Sequence, residues 1–298
     1  MDTALNEITL VLFTTIAPAG VIGYLVMALA AMRAGEKERA DRISRYLVVP
    51  LVLAISGLIA SATHLGTPAN ALYVLTGIGR SPLSNEVVAA VAFLALGGVY
   101  WILSFRDDLR QPFRIAWLTA TAVAGLVFVG FIAVAYSVPS VPTWNLPTAP
   151  LTLWLNALSS GPFVGLFGLL LARQEPDRRM TVALLALAAC AAVGNAVVLG
   201  MQWQQLPDIV TTTTRASDLV PAMPLAIAAY ATCEAIAVVL GGMGALRCAI
   251  GAGDDPFAGA RRTRVLRLAL LAASAVLALA GCFVVRFTFY ALHMTLGV

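Results

Sequence analysis

The few side chains able to move a proton or hold a polar ligand stand at the ends of apolar stretches. His64 closes the run Ala60-Ser-Ala-Thr-His64-Leu-Gly-Thr-Pro68, and Glu86, after Ser84 and Asn85, opens the next. Arg286, Tyr290 and His293 close the last apolar run. A neutral imidazole accepts protons near physiological pH and hydrogen-bonds a quinone-type oxygen; a nearby carboxylate orients the ring or carries the proton onward. That pairing suits the two protons of a quinol, with His64 as proton acceptor and Glu86 as relay. The electrons need a redox centre elsewhere. The four cysteines (Cys190, Cys233, Cys248, Cys282) are isolated, with no CxxC and no Cys–His spacing, so neither an iron–sulfur nor a zinc site is expected. They read as small packing residues.

Each candidate also has a structural reading. Ser84 is a candidate N-cap, which would leave Glu86 in a first turn serving the helix dipole. Arg286 can snorkel to the membrane interface or hold a lipid phosphate. His64 can be an interfacial polar residue, and His293, near the terminus, can be solvated. Asn156 and Asn195 read as interhelical hydrogen-bonding groups. Glu234 lies in mid-span, where a charge is costly, and needs protonation or a polar partner.

These residues must be positioned by membrane helices. Of 298 residues, 60% are hydrophobic and 11% charged, with mean hydropathy +0.89; soluble domains carry about 25% charged residues. The fold class is therefore all-α, a polytopic membrane protein. A spanning helix needs about 20 apolar residues. Eight such runs are present: Ile8–Met32, Tyr46–Leu65, Asn85–Phe105, Ile115–Ser137, Leu151–Ala172, Met180–Trp203, Met223–Leu246 and Val265–Ala291. They read as one domain, residues 1–298. Gly161, Gly165 and Gly168 put small residues on one helix face, where helices can approach closely. The N-terminus has no basic segment or small-residue cleavage site, so no cleaved signal peptide is expected.

The connecting segments alternate in charge. Sixteen of the nineteen Lys and Arg fall in the first, third, fifth and seventh loops or at the start of the last span; Arg80, Arg215 and Arg286 are the rest. The positive-inside rule places those loops in the cytoplasm and both termini on the outer, periplasmic side. Basic residues are not interleaved with aromatics, which excludes nucleic acid as a partner. With this orientation His64, Glu86, Trp144, Arg286, Tyr290 and His293 share the outer face. Trp144 sits in Val138–Pro150, a charge-free loop with four prolines, expected to form a stiff outer cap. Gln204–Ala222 is expected to be exposed or to contact a partner. One other class stays open, a single haem b held by the two histidines; a transporter would need ionisable groups spread across the bilayer, and only Glu234 lies deep, which argues against it.

The segments Ile59–Pro68, Leu83-Ser-Asn-Glu86, Val141-Pro-Thr-Trp144 and Arg286–Gly297 resemble, in order and spacing, the DmsC family, membrane anchors of DMSO reductase-type molybdoenzymes. The likeness covers essentially the whole sequence. It implies a quinol/quinone-binding anchor of a bacterial inner-membrane complex, with the site toward the periplasmic face and His64 and Glu86 matching the family's menaquinol-site residues. Asn85, Trp144, Arg286, Tyr290 and His293 are the expected site wall. It implies bound menaquinone or ubiquinone, with neither haem nor metal on the anchor itself. The implied partners are a four-cluster [4Fe–4S] electron-transfer subunit and a molybdopterin catalytic subunit, besides membrane lipid. Anchors of this type also serve quinone-reducing sulfite dehydrogenases, so the resemblance leaves the terminal substrate and the direction of electron flow open. Gln204–Leu225 matches the family poorly beyond Leu219-Val-Pro221.

Overall fold

A computed structural model describes all residues except 1, 64–72, 75, 176, 212–213, 247–255 and 295–298, and only the backbone of 2–3 and 256–260. His64 therefore lies outside the described residues, as does Cys248. The elements run α1 (Asp2–Asn6), α2 (Ile8–Arg33), α3 (Lys37–Tyr46), α4 (Val48–Ala62), α5 (Pro82–Leu103), α6 (Gln111–Ala135), α7 (Thr148–Leu171), α8 (Arg178–Gln205), α9 (Ala216–Leu219), α10 (Met223–Ala245) and α11 (Pro256–Ala291). Eight units among the described residues are long and apolar enough to span a bilayer, with α3 and α4 together making the second. All eight expected spans are present. The β-structure described is one isolated bridge, Val210 with Arg215.

The expected start of α5 is corrected. Ser81, not Ser84, is the N-cap: its side chain accepts the Ser84 N–H at 3.4 Å, and Pro82 follows at a position where no helical donor is lost. Glu86 consequently sits more than one turn inside the helix and only 2% exposed, so it is not the exposed first-turn acid of the dipole reading.

α2 and α7 form the centre. In each, 78% of the most apolar window is buried inside the protein, against 22–39% for the other spans, which keep a broad face for lipid. Small residues permit the contact. Gly161 and Gly165 of α7 back onto Ile22 and Val26 of α2, and Gly168 onto Met27, so the expected glycine stripe is a helix–helix seam. On the opposite side of α2, a Cβ at Gly20 would meet the Pro50 carbonyl oxygen and the Ala54 nitrogen of α4, both at 2.8 Å. These are backbone atoms and cannot swing aside. Gly20→Ala is therefore expected to destabilise the protein by about 1–3 kcal/mol, the usual cost of overpacking. A thermal unfolding midpoint in detergent equal to wild type would refute the close approach.

The two ends differ chemically. At one end Lys37 donates to the Asp107 carbonyl oxygen, Arg39 to that of Glu175 at 3.0 Å, Arg114 pairs with Asp41, and Arg267 pairs with Glu175 at 2.6 Å. The first, third and fifth connections and the base of α11 thus meet there, as the charge alternation requires. At the other end the segment before α7 folds over the end of α11: Thr143 Oγ1 donates to the Leu292 carbonyl. Gln204–Ala222, expected to be exposed or to contact a partner, holds a 3-10 turn at Leu206–Asp208, the Val210–Arg215 bridge and α9; much of it is exposed, while Leu206 and Ala216 are buried.

Candidate functional site

The last turns of α11 place Arg286, Phe289 and Tyr290 at i, i+3 and i+4, one face of a helix, and His293 follows two residues past the helix end. That face points inward. Arg286 is 2% exposed, which overturns the snorkelling reading. Its Nε donates to Thr14 Oγ1 of α2 at 3.1 Å. Its guanidinium carbon lies 4.2 Å from the Phe289 ring centre, 5.4 Å from Tyr290 and 5.9 Å from Tyr136. Cation–π contacts of this kind contribute about 0.5–2 kcal/mol each. No carboxylate forms an ion pair with Arg286 among the described residues, and its buried Nη2 has no partner.

Tyr290 is fully buried, with its hydroxyl 3.4 Å from the Leu10 carbonyl and within reach of Tyr136, Thr14 and Arg286. Tyr136, at the end of α6, meets Tyr290 edge to face with centroids 5.6 Å apart. Glu86 belongs to α5. It lies within electrostatic range of Tyr136, and its buried Oε2 has no partner.

The proline-rich connection folds over this end of the bundle. Trp144 donates its indole N–H to the Phe289 carbonyl at 2.9 Å, satisfying a helix-end acceptor, and lies nearly parallel to the Phe289 ring with centroids 5.0 Å apart. His293 is half-buried against Trp144, ring centres 4.8 Å apart, rather than free in solvent.

The fold thus gathers Glu86, Trp144, Arg286, Tyr290 and His293 at one end. It gives Asn85 a local task instead: Asn85 Oδ1 accepts the Gly79 N–H at 2.7 Å, pinning a turn in which Gly79 has φ +79°. Thr14, Tyr136 and Phe289 join the cluster without having been singled out by sequence. Tyr136 carried a weak signal as an aromatic at a span end, which belt tyrosines share. Glu86 Oε2 is an acceptor and Arg286 Nη2 a donor, and both side chains lie within electrostatic range of Tyr136; a flat ligand bearing oxygen functions matches that set. Among the described residues no group of three or more His, Cys, Asp or Glu is arranged to hold a metal ion.

The profile of the DMSO reductase anchor subunit (DmsC) family matches residues 1–292. The C subunit of anaerobic dimethyl sulfoxide reductase from Escherichia coli is 32% identical over 305 residues, an overlap that takes in the whole of this sequence and 98% of that protein. The YnfH subunit of an anaerobic dimethyl sulfoxide reductase from the same organism is 31% identical, and the Haemophilus influenzae C subunit 28% identical, each over 301 residues with the same coverage. Full-length similarity at this level, on an eight-span helical bundle, means that the protein belongs to the DmsC family of DMSO reductase membrane anchor subunits.

Proposed function

We infer that this anchor binds membrane quinol or quinone at the Glu86–Arg286 end and exchanges electrons with an iron–sulfur partner. The observation that carries this reading is a buried acceptor, Glu86 Oε2, and a buried donor, Arg286 Nη2, both without a protein partner and both on side chains within electrostatic range of Tyr136. Burying such atoms costs about 1–3 kcal/mol each unless something bonds them. A quinol hydroxyl donating to Glu86 and a quinone oxygen accepting from Arg286 would satisfy both.

Bound menaquinol or ubiquinol supplies two electrons and two protons on oxidation. The protein's share is proton handling and placement. Glu86 takes a proton at Oε2, and Arg286 holds an oxygen and fixes ring orientation. Phe289, Tyr290 and Trp144 wall the space and exclude water. His64, two residues beyond the end of α4 in sequence, is the proposed first proton acceptor. The basic loops at the opposite end support an orientation with that end in the cytoplasm, so the site and both termini face the periplasm of a bacterial inner membrane. The iron–sulfur subunit, with four [4Fe–4S] clusters, docks on the periplasmic face because electron transfer needs its nearest cluster near the quinone; a molybdopterin subunit completes the complex. On this reading the anchor carries no haem and no metal.

A hydroxyquinoline-type quinol analogue tests the reading in the purified complex. It is expected to block quinol-driven turnover while leaving turnover driven by a water-soluble reduced dye untouched. Quinol-driven turnover insensitive to the analogue would remove the site.

A further inference from the structure

Below the Arg286 cluster lies a second polar assembly, deep among apolar helices. Glu234 of α10 is 1% exposed, and its Oε1 accepts from Ser159 Oγ of α7 at 2.9 Å, with Cys282 Sγ of α11 at 3.5 Å. Asn195 of α8 donates to Asn156 Oδ1 of α7 at 2.8 Å. Ser159 and Cys282 are the partners that sequence left unidentified for Glu234. Four helices therefore contribute polar side chains to one interior seam.

Six buried side-chain atoms along that seam lack a protein partner: Glu234 Oε2, Tyr230 Oη, Asn195 Oδ1, Asn156 Nδ2, Gln202 Nε2 and Arg286 Nη2. Buried polar atoms are ordinarily bonded to protein or to ordered water. The spacing makes them a file. Tyr230 and Glu234, like Cys282 and Arg286, are four residues apart, one turn or about 6 Å along the axis. Asn195 and Gln202 are two turns apart on α8. An internal cavity of about 10 Å³ touches Asn156, Gln202 and Arg286; that is room for about one water. The file leads one way. Toward the basic end the next polar group, Ser274, already donates to the Ala237 carbonyl at 2.6 Å. Toward lipid, Glu234 borders a groove of about 580 Å³ walled otherwise by alanine and valine.

We propose that Glu234 is a membrane-embedded proton-exchange site, joined to the Arg286 cluster by bound water along Tyr230, Asn195, Asn156 and Gln202. A proton arriving from the Arg286 side is taken by the Glu234 carboxylate to give the carboxylic acid, and leaves by the same route. The titratable groups facing it are Tyr230 from its own helix and Cys282 from α11, with Arg286 one turn beyond Cys282; α7 and α8 contribute Ser159, Asn156 and Asn195, which do not titrate. That the proton originates in quinol rests on the function inferred above; the exchange itself does not.

Acid–base infrared difference spectra of the whole purified complex, in light and heavy water, read the carboxyl directly. A carboxyl C=O band that shifts in heavy water and disappears in Glu234→Gln is expected. Gln202→Leu leaves the acid in place, and there deuterium exchange of the band is expected to slow about tenfold, as one bridging water loses a partner. If Glu234→Gln does not assemble, Glu234→Asp moves the band and assigns it equally well. A Glu234 carboxyl that does not titrate, or that exchanges as fast in Gln202→Leu as in wild type, overturns the proposal. Because pH and not quinol drives the signal, this failure is distinct from loss of analogue inhibition, which would sink the quinol site instead.

Discussion

Glu86→Gln is expected to lower quinol-driven turnover of the assembled complex about 10²- to 10⁴-fold, the range lost with a general acid–base group, and to leave dye-driven turnover unchanged. Gln keeps the volume and the hydrogen-bonding capacity of Glu at this 2% exposed position in α5, but it cannot take a proton. The complex therefore assembles and the loss falls on kcat more than on KM. His64→Ala is expected to give a loss of similar size. If the imidazole and the carboxylate serve one proton path, the double variant is little worse than either single variant, since residues that act as a unit are not additive. This cycle ties His64, which lies outside the described residues, to the Glu86 site without needing a distance. Wild-type quinol-driven rates in Glu86→Gln would show that the buried acid is structural. Fully multiplicative losses would show that the two residues act separately.

Most of the architecture was legible because lipid imposes simple arithmetic: each apolar run had to be one helix, and the arginines marked the connections between them. The errors came where a local signal had two equivalent solutions. Ser81 and Ser84 both precede the apolar run of α5, and only Pro82, which favours the first helical position, decides for Ser81. The site was legible in its outlying members and not in its interior. Glu86, Arg286 and Tyr290 stand out as ionisable groups in apolar surroundings. Whether Arg286 points to lipid or inward is not readable, because α11 is apolar all round near it and gives no amphipathic stripe to assign a face. Thr14 gave no signal, and Tyr136 only the weak one of a span-end aromatic, for another reason. Their role depends on α2 packing beside α11 and on Tyr136, just past the end of α6, meeting Tyr290, contacts between segments more than a hundred residues apart. Asn85 was misleading because adjacency to Glu86 in sequence turns its side chain to another part of the helix surface, where Gly79 needs it.

Arg286→Leu and Arg286→Lys separate a ligand-holding guanidinium from a merely structural one. Leu fills part of the volume with apolar surface and leaves no orphan behind, because Thr14 Oγ1 still donates to the Leu10 carbonyl at 2.9 Å. Replacing a buried charge by a hydrophobe is often neutral or stabilising, so the thermal midpoint of the Leu variant is expected to match or exceed wild type. Its quinol-driven kcat/KM is expected to fall about 10- to 100-fold, since a hydrogen bond from a charged donor contributes about 1.5–3 kcal/mol. The Lys variant keeps the charge but not the planar fork that lets Arg286 bond Thr14 through Nε, lie 4.2 Å over Phe289 and still present Nη2. It is expected to fall between Leu and wild type in kcat/KM and below both in thermal midpoint, because a compact ammonium is left desolvated among aromatic rings. Steady-state kinetics with quinol and a thermal melt of each assembled complex decide the matter. Wild-type kcat/KM in Arg286→Leu together with a lowered midpoint would make Arg286 a packing residue, and the acceptor oxygen of the ligand would need another donor at this end of the bundle.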